Sequence, residues 1–399
     1  MTDKNLPEKS IKVGIDASNI RSGGAIEHLC QILDPENGPC EGISAFLVWG
    51  NSKLLDRLPE DPLIEKVSVP EANNSNLRTL MFQLFSLPKL SQLAGCDVLF
   101  APGGITGRNL IPTAVMSQNL LPFEETESKR YGLTKSYLRL LALRIIQGRT
   151  FQRADKMIFL SEYAREVISR ELKLVPEAGQ VIPHGMRARN KLTMRHNRTI
   201  ESCDASNPFR ILYVSPIDVY KHQEKVVQAC NLLRTKLGWQ INLRLVGPPF
   251  EPAWSRLQRL LKSLPDDSWV SVVGGVSSEE VEKEYLGADL AVFVSTCENL
   301  PITLLEIISH RLPVVSSTSG PMPEILGTRA AYCDPLDPAD MSRALERVIL
   351  DTELRRHFST CEVENSYSSS WQRAKQSTLN LLKDVARVRS NESARTRSN

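Results

Sequence analysis

Leu290-Ala-Val-Phe-Val-Ser295-Thr-Cys-Glu298-Asn-Leu-Pro301-Ile-Thr-Leu-Leu-Glu306-Ile-Ile-Ser-His310-Arg-Leu-Pro313-Val-Val-Ser-Ser317 strings together an apolar run, a polar loop, a helical apolar pattern and a second apolar run. That order reads as strand, loop, crossover helix and parallel strand. Asn299 or Leu300 is expected to cap the helix, Pro301 fits its first turn, and Ile302, Leu305 and Ile308 or Ser309 supply a buried face. Glu298 then stands in the loop before the helix, with Glu306 about two turns in, a rise of roughly 11 Å. One carboxylate can reach the far end of an extended ligand while the other holds its near end. The helix N-terminus between them offers N–H groups to negative charge. The plainer alternative makes Glu298 a loop acid and Glu306 a solvent-facing residue. Glu306, however, has Leu304, Leu305, Ile307 and Ile308 around it, and a carboxylate in such company needs a partner.

Outward from this unit, short apolar runs alternate with helical patterns along most of the chain, the signature of parallel sheets covered by helices. Strands are expected at 12–16, 45–49, 97–101, 113–117, 157–161 and 180–182, and again at 210–214, 243–246, 270–273, 290–294 and 313–316. The fold class is α/β, with two doubly wound parallel-sheet domains facing a central cleft. The first domain is expected over 1–190, a linker over 191–208, and the second domain over 209–371. A C-terminal helix over 372–385 is expected to pack back on the first domain, and 386–399, rich in Arg, Ser and Asn, reads as a disordered tail.

The 399 residues carry 49 Lys and Arg against 46 Asp and Glu, a net charge of +3, with 24% charged and 41% apolar residues. This is the balance of an ordinary globular protein, and it excludes fibrous chains and a strongly basic nucleic-acid binder; no nucleic-acid partner is expected. No run approaches the roughly 18 apolar residues of a spanning helix, and the N-terminus lacks the apolar stretch of a signal peptide. A cytoplasmic chain is expected. Eight single cysteines without C-x-x-C spacing argue against zinc or dithiol chemistry and for a reducing compartment.

Ligands on open parallel sheets bind beyond the carboxyl ends of the strands, so the loops there matter most. After the first strand, Gly23-Gly24 before a helix would let backbone approach an anion; a plain turn is the alternative. The spacing matches neither the dinucleotide fingerprint nor the P-loop. After the first strand of the second half, Lys221 lies at a helix entrance, where its ammonium could neutralise a diphosphate; an ordinary surface lysine is the alternative. Residues Lys129 to Arg153 read as one basic, leucine-rich helix. It has either a core-facing stripe and a solvated face, the commoner arrangement, or a surface resting on anionic lipid.

The two glutamates in this setting resemble the motif of retaining glycosyltransferases of family 4, the glycogen-synthase-like or group 1 glycosyl transferases of GT-B fold. The resemblance extends over most of the chain, through Gly23-Gly24, Val181-Ile-Pro-His-Gly185, Tyr220-Lys-His-Gln223, Leu245-Val-Gly-Pro248 and Val273-Gly-Gly-Val-Ser277. It continues through Gly320-Pro-Met-Pro-Glu324, Asp334-Pro-Leu-Asp-Pro338 and Ser370-Trp371. It implies that Glu306 bonds the ribose hydroxyls of a nucleotide-sugar donor and that Glu298 faces the transferred sugar. The backbone of Asn299, Leu300 and Pro301 would hold its hydroxyls or the diphosphate. Lys221 would neutralise the leaving diphosphate with the Gly23-Gly24 loop, and the loop carrying Gly275 and Val276 would border the base.

Gln118, Asn119 and His184 are placed near sugar or acceptor. The family often has an arginine where this chain has Val214-Ser-Pro216-Ile217, which leaves one cation fewer unless Arg21 compensates. Where relatives carry a histidine loop, Ser117 to Phe123 has only Gln118 and Asn119, neither of which can act as a base near neutral pH. No metal and no cofactor are implied. The expected activity is retaining transfer of a hexose from a nucleotide-diphosphate sugar to a saccharide or lipid-linked acceptor, for a cell-surface polysaccharide. The location is cytoplasmic, with peripheral contact to the inner membrane face through 129–153 in the lipid reading. A non-catalytic sugar-nucleotide-binding subunit and a nucleotide-sugar epimerase are the alternatives.

Overall fold

The structure, a computed structural model, describes residues 10–21, 24–74, 76–186, 198–360 and 370–397. The chain divides into two units: one of residues 1–123, 139–185 and 369–399, the other of 124–138 and 186–368.

The first unit is built on a seven-stranded sheet: β1 (Ile11–Ala17), β2 (Ile43–Gly50), β3 (Ile64–Ser68), β4 (Val98–Ala101), β5 (Thr113–Met116), β6 (Lys156–Phe159) and β7 (Gly179–Val181). The order is β3-β2-β1-β4-β5-β6-β7, and every pairing is parallel. The second unit holds six strands: β8 (Phe209–Val214), β9 (Ile241–Val246), β10 (Val270–Val273), β11 (Leu290–Phe293), β12 (Val314–Ser317) and β13 (Ala330–Cys333). Their order is β10-β9-β8-β11-β12-β13, again parallel throughout. Central strands such as β4, β5, β11 and β12 are buried along their whole length, as sheets covered on both faces require. In each sheet the order reverses beside the first strand, between β1 and β4 and between β8 and β11, and loops leaving two such strands diverge to form a crevice.

Two strands escape the sequence pattern. β3 is an edge strand of sequence Ile-Glu-Lys-Val-Ser, only half-buried, and β13 is the four-residue edge strand Ala-Ala-Tyr-Cys, without a β-branched residue.

The organisation corrects other expectations. Residues 198–208 are not a free connection: Arg198 grips Asp289 through Nε (3.1 Å) and Nη2 (2.6 Å), and Ile200–Ser202 forms a short helical turn within the second unit. The rest of the expected linker, 191–197, lies outside the described residues. The basic stretch is not one helix. A helix at Glu125–Lys129 stops, Gly132 turns with φ 62°, and a second helix runs over Lys135–Arg153. The tail expected from 386 is also different, because the helix Trp371–Arg397 continues through it with Val385 and Ala386 buried. This helix belongs to the first unit, where Lys375 Nζ donates to Asp34 O (2.8 Å) and Trp371 and Ala374 pack with Ile32.

Candidate active site

Of the expected donor residues, Lys221, Glu298, Asn299, Leu300 and Pro301 lie on the loops that leave β8 and β11 at the second unit's switch point. β8 feeds a loop that ends in the turn Val219–Lys221. His222 follows with φ 55°, and the helix Gln223–Leu237 begins directly after it. This helix buries Val226, Val227, Ala229, Cys230 and Leu233, whereas Leu232 is exposed. Asp218 starts the turn by accepting from Val219 N at 2.7 Å, and Tyr213 reaches up from β8 to donate to Lys221 O at 2.8 Å. The Ser215–Pro216 stretch, where the resembled family places an arginine, is tied down by Gln223. Its Nε2 donates to Ser215 Oγ (2.9 Å) and Pro216 O (2.8 Å).

β11 feeds the loop Val294–Pro301. Pro301, rather than Asn299 or Leu300, is the N-cap, with extended backbone (φ −74°, ψ 113°) and no side-chain cap bond. The helix is Ile302–Ser309, and Leu304, Leu305, Ile307 and Ile308 are buried. Glu306 is therefore the fifth helical residue, only about 6 Å of rise from the start. Its half-buried carboxylate has the partner its apolar surroundings demanded: the hydroxyl of buried Tyr285 donates to Oε2 at 2.9 Å. Tyr285 also packs on His310, ring centroids 4.5 Å apart, and His310 Nδ1 lies 2.7 Å from Glu306 O.

Lys221 and Glu298, from the two loops, form an ion pair with side chains only 7% and 12% exposed. The ammonium also lies 5.1 Å from the Tyr220 ring centroid and 5.2 Å from that of Phe293, so aromatic faces hold it from two sides. The loops are stitched together by Thr296 N donating to Tyr220 O (2.9 Å) and by His222 Nε2 against Thr296 Oγ1 (2.9 Å). Burial, with Arg130 and Lys225 nearby, pushes the His222 imidazole down to about 4, so it is neutral near pH 7. Gly320, with φ 62°, brings its loop against the backbone of Glu298. Asn299, Leu300 and Pro301 are buried beneath the helix start.

Gly274 and Gly275 are exposed after β10. A Cβ at Gly274 would meet no atom of the chain within 4 Å, so packing does not demand glycine there. Val276 is half-buried, and Ser277 caps the helix Ser278–Gly287 in a reciprocal box with Glu280.

In the first unit, Gly23 lies outside the described residues and Gly24 opens the helix Gly24–Leu33. Arg21 donates to Ala72 O (3.2 Å) and Thr79 Oγ1 (3.4 Å), so its guanidinium is engaged by its own unit. Asn119 is exposed and Gln118 half-buried after β5, and Asn119 Oδ1 accepts from Leu121 N at 3.1 Å. His184 is enclosed, at 4% exposure. Its Nδ1 lies 3.0 Å from His28 Nδ1 and its ring 5.6 Å from that of Trp371, so this chain's own side chains cover it. His28, which the sequence left without a role, is the missed half of that pair. A Cβ on adjacent Gly185 would fall 2.2 Å from Trp371 N, so only glycine lets the strand end meet the helix start. Asp16, at the end of β1, is also fully buried, held by Ser18 Oγ (2.6 Å) and Gln83 Nε2 (2.5 Å).

Among the described residues no cluster of three or more His, Cys, Asp or Glu could hold a metal ion, and no helix is long and apolar enough to cross a membrane.

Two parallel-sheet, Rossmann-like units of seven and six strands, with an acid and a lysine meeting at the second switch point, define the GT-B architecture. Residues 201–361 match the family described as glycosyl transferases group 1. Over 174 residues the chain is 25% identical to the O-antigen chain mannosyltransferase B of Escherichia coli, covering 43% of this chain and 45% of that one. The chain spans about half the length of the curated relatives it matches. Among solved structures it is similar in fold to WaaG, a glycosyltransferase involved in lipopolysaccharide biosynthesis. There the TM-score is 0.66 at 16% identity, over 93% of this chain and 99% of that one. It is similar also to Anabaena Alr3699/HepE in complex with UDP and glucose, with TM-score 0.61 and 17% identity, over 98% of this chain and 100% of that one.

Proposed function

We propose that the protein is a retaining glycosyltransferase of the family 4 kind that moves a hexose from a nucleotide-diphosphate sugar to a saccharide or lipid-linked acceptor, in building a cell-surface polysaccharide. The observation that carries this reading is the buried Lys221–Glu298 pair at the β8/β11 switch point. A lysine enclosed by two aromatic rings and one carboxylate is a fixed cation in a low-dielectric setting, where it acts strongly on charge that develops nearby. Similarity to an O-antigen mannosyltransferase and to a fold neighbour solved with UDP and glucose supports the substrate class.

In this reading Glu306 holds the ribose hydroxyls, and Gly275 and Val276 border the base. Lys221 and the first-turn N–H groups of the helix Ile302–Ser309 take the diphosphate. The bond from the anomeric carbon to the diphosphate oxygen breaks, and negative charge on the leaving group meets the ammonium. The acceptor oxygen bonds the anomeric carbon from the same face, and its proton passes to the departing phosphate oxygen. Glu298, released from Lys221 as the diphosphate arrives, orients the sugar hydroxyls. Asn119 and Gln118 are the acceptor-side hydrogen-bonding groups, and neither supplies a base. No metal is assigned to the reaction.

Contact with anionic membrane is part of the proposal. Leu138, Leu141 and Ile145 are exposed on one face of the helix Lys135–Arg153, together with exposed Lys135, Arg139 and Arg149. Co-sedimentation with anionic but not neutral vesicles is the expected outcome.

The primary test is a thermal-shift panel of UDP, GDP, ADP and their hexose conjugates on the full chain, followed by NMR of the product's anomeric configuration. One selectively stabilising nucleotide and a retained configuration support the reading. A panel that shifts nothing, or an inverted product, overturns it. Turnover of the donor sugar's stereochemistry without transfer would favour the epimerase, and selective binding without turnover the non-catalytic subunit.

A further inference from the structure

We propose that Glu127, on the segment between β5 and β6, is a positioning residue that sets the Lys221 and Glu298 loops relative to each other; this rests on the function proposed above. Residues 124–138 leave the first unit's sequence and form part of the second. Glu127 sits on the short helix Glu125–Lys129 with 6% exposure. Its Oε2 accepts from Thr296 Oγ1 at 2.5 Å and from Arg130 Nε at 2.9 Å.

The threonine hydroxyl has one proton and two acceptors in reach, the carboxylate at 2.5 Å and Tyr220 O at 3.3 Å. The shorter, charged acceptor takes it. His222 Nε2, 2.9 Å from the same oxygen, must then be the donor, which fixes the imidazole as the Nε2–H tautomer. The result is a directed chain from His222 through Thr296 to Glu127. His222 directly follows Lys221, and Thr296 stands two residues before Glu298. A second tie comes from the same segment: Tyr131 Oη donates to Asp218 Oδ1 at 2.7 Å, and Asp218 starts the turn that ends in Lys221.

One segment thus touches both loops, the β11 loop through Glu127 and the β8 loop through Tyr131. The hydrogen bonds and ion pairs of Glu127 are to Thr296 and Arg130, not to the Lys221 ammonium or the Glu298 carboxylate. Its role is therefore to hold rather than to react. A polar chain this enclosed is worth most when complete, because each member left without its partner is buried without compensation.

The experiment compares Glu127→Ala, Glu127→Gln, Thr296→Val and Thr296→Ser in the full chain. Donor KM and kcat are measured, along with the thermal shift produced separately by UDP, GDP and ADP. Thr296→Val and Glu127→Ala are expected to lower kcat by about ten- to a hundred-fold with donor KM changed only a few-fold, since misplacement of the cation is felt mainly in the transition state. Thr296→Ser, which keeps the hydroxyl, is expected near wild type, and Glu127→Gln, which keeps an acceptor oxygen, in between. The inference is overturned if Thr296→Val and Glu127→Ala keep wild-type kcat. It is equally overturned if their loss follows the folded fraction alone and the Ser and Gln variants do no better. A wild-type chain that responds to none of the nucleotides overturns the underlying function instead, and that outcome is distinct from any difference among variants.

Discussion

The hydroxyl of Tyr285, at the end of the helix that follows β10, donates to the carboxylate of Glu306 on the helix that follows β11. Two crossover helices of the second sheet are thereby joined at the group proposed to hold the donor's ribose. Tyr285→Phe removes only the donor atom, and a hydrogen bond to a charged group contributes about 1.5–3 kcal/mol. The expected outcome is a roughly ten-fold higher donor KM with kcat little changed, measured by steady-state kinetics. Glu306→Gln is expected to lose about ten- to a hundred-fold in kcat/KM.

Removing one member of the Lys221–Glu298 pair leaves the other charge buried. Lys221→Ala should lower stability by about 3–5 kcal/mol in urea unfolding and abolish transfer, a larger loss of activity than Glu306→Gln causes. The double variant Lys221→Met with Glu298→Gln removes both charges. Its stability is expected to return close to wild type while activity does not, because neutral replacement of a buried pair is often tolerated by the fold. Recovery of both together would mean that the pair serves the fold alone.

Chelation offers a direct check on the cation assignment. With Lys221 and a helix N-terminus neutralising the diphosphate, dialysis against EDTA is expected to leave the transfer rate unchanged, and added magnesium or manganese to raise it less than about two-fold. A rate that collapses with EDTA and returns with metal would contradict the assignment.

The buried imidazoles give a signed pH dependence. Burial lowers His28 from its ordinary value near 6.5 to about 4, takes His222 to about 4 as well, and holds His184 well below its usual range with His28 as a neighbouring contribution. Each is neutral in the fold and readily charged when unfolded. Their contribution to stability is therefore complete above pH 6.5 and is lost as pH falls toward 4. The slope is about 1.4 kcal/mol per pH unit for each histidine across that window. Asp16 and Asp218, whose carboxyls burial raises, act in the opposite direction at the acid end. The His28 contribution is isolated by comparing wild type with His28→Leu: the urea midpoint of the variant should fall less steeply between pH 6.5 and 4.

What could be read from sequence tracks how local each signal is. Buried strands such as β11 and β12 are apolar throughout, and the loop and helix between them show their order directly, so both glutamates and Lys221 could be placed beforehand. β3 hid because an edge strand with Glu65 and Lys66 lacks an apolar run. Glu127 hid for a different reason. In Glu124-Glu-Thr-Glu-Ser-Lys-Arg130 it looks like any solvated acid, and its partner Thr296 is 169 residues away. The His28–His184 contact, across 156 residues, is equally invisible to local pattern. The helix start was misplaced because proline fits the first helical position well, and nothing in the sequence distinguishes that position from the cap itself.

Neither unit is a contiguous stretch of chain: the first closes with the helix beginning at Trp371, and the second includes residues 124–138. A chimera spliced once near residue 190, with one half from this chain and the other from a homologue, would import a foreign terminal helix beneath Gly185 and a foreign strap beside Thr296. Exchanging the first unit between homologous chains therefore requires moving three separate segments together, and libraries shuffled at a single crossover will be depleted of folded members.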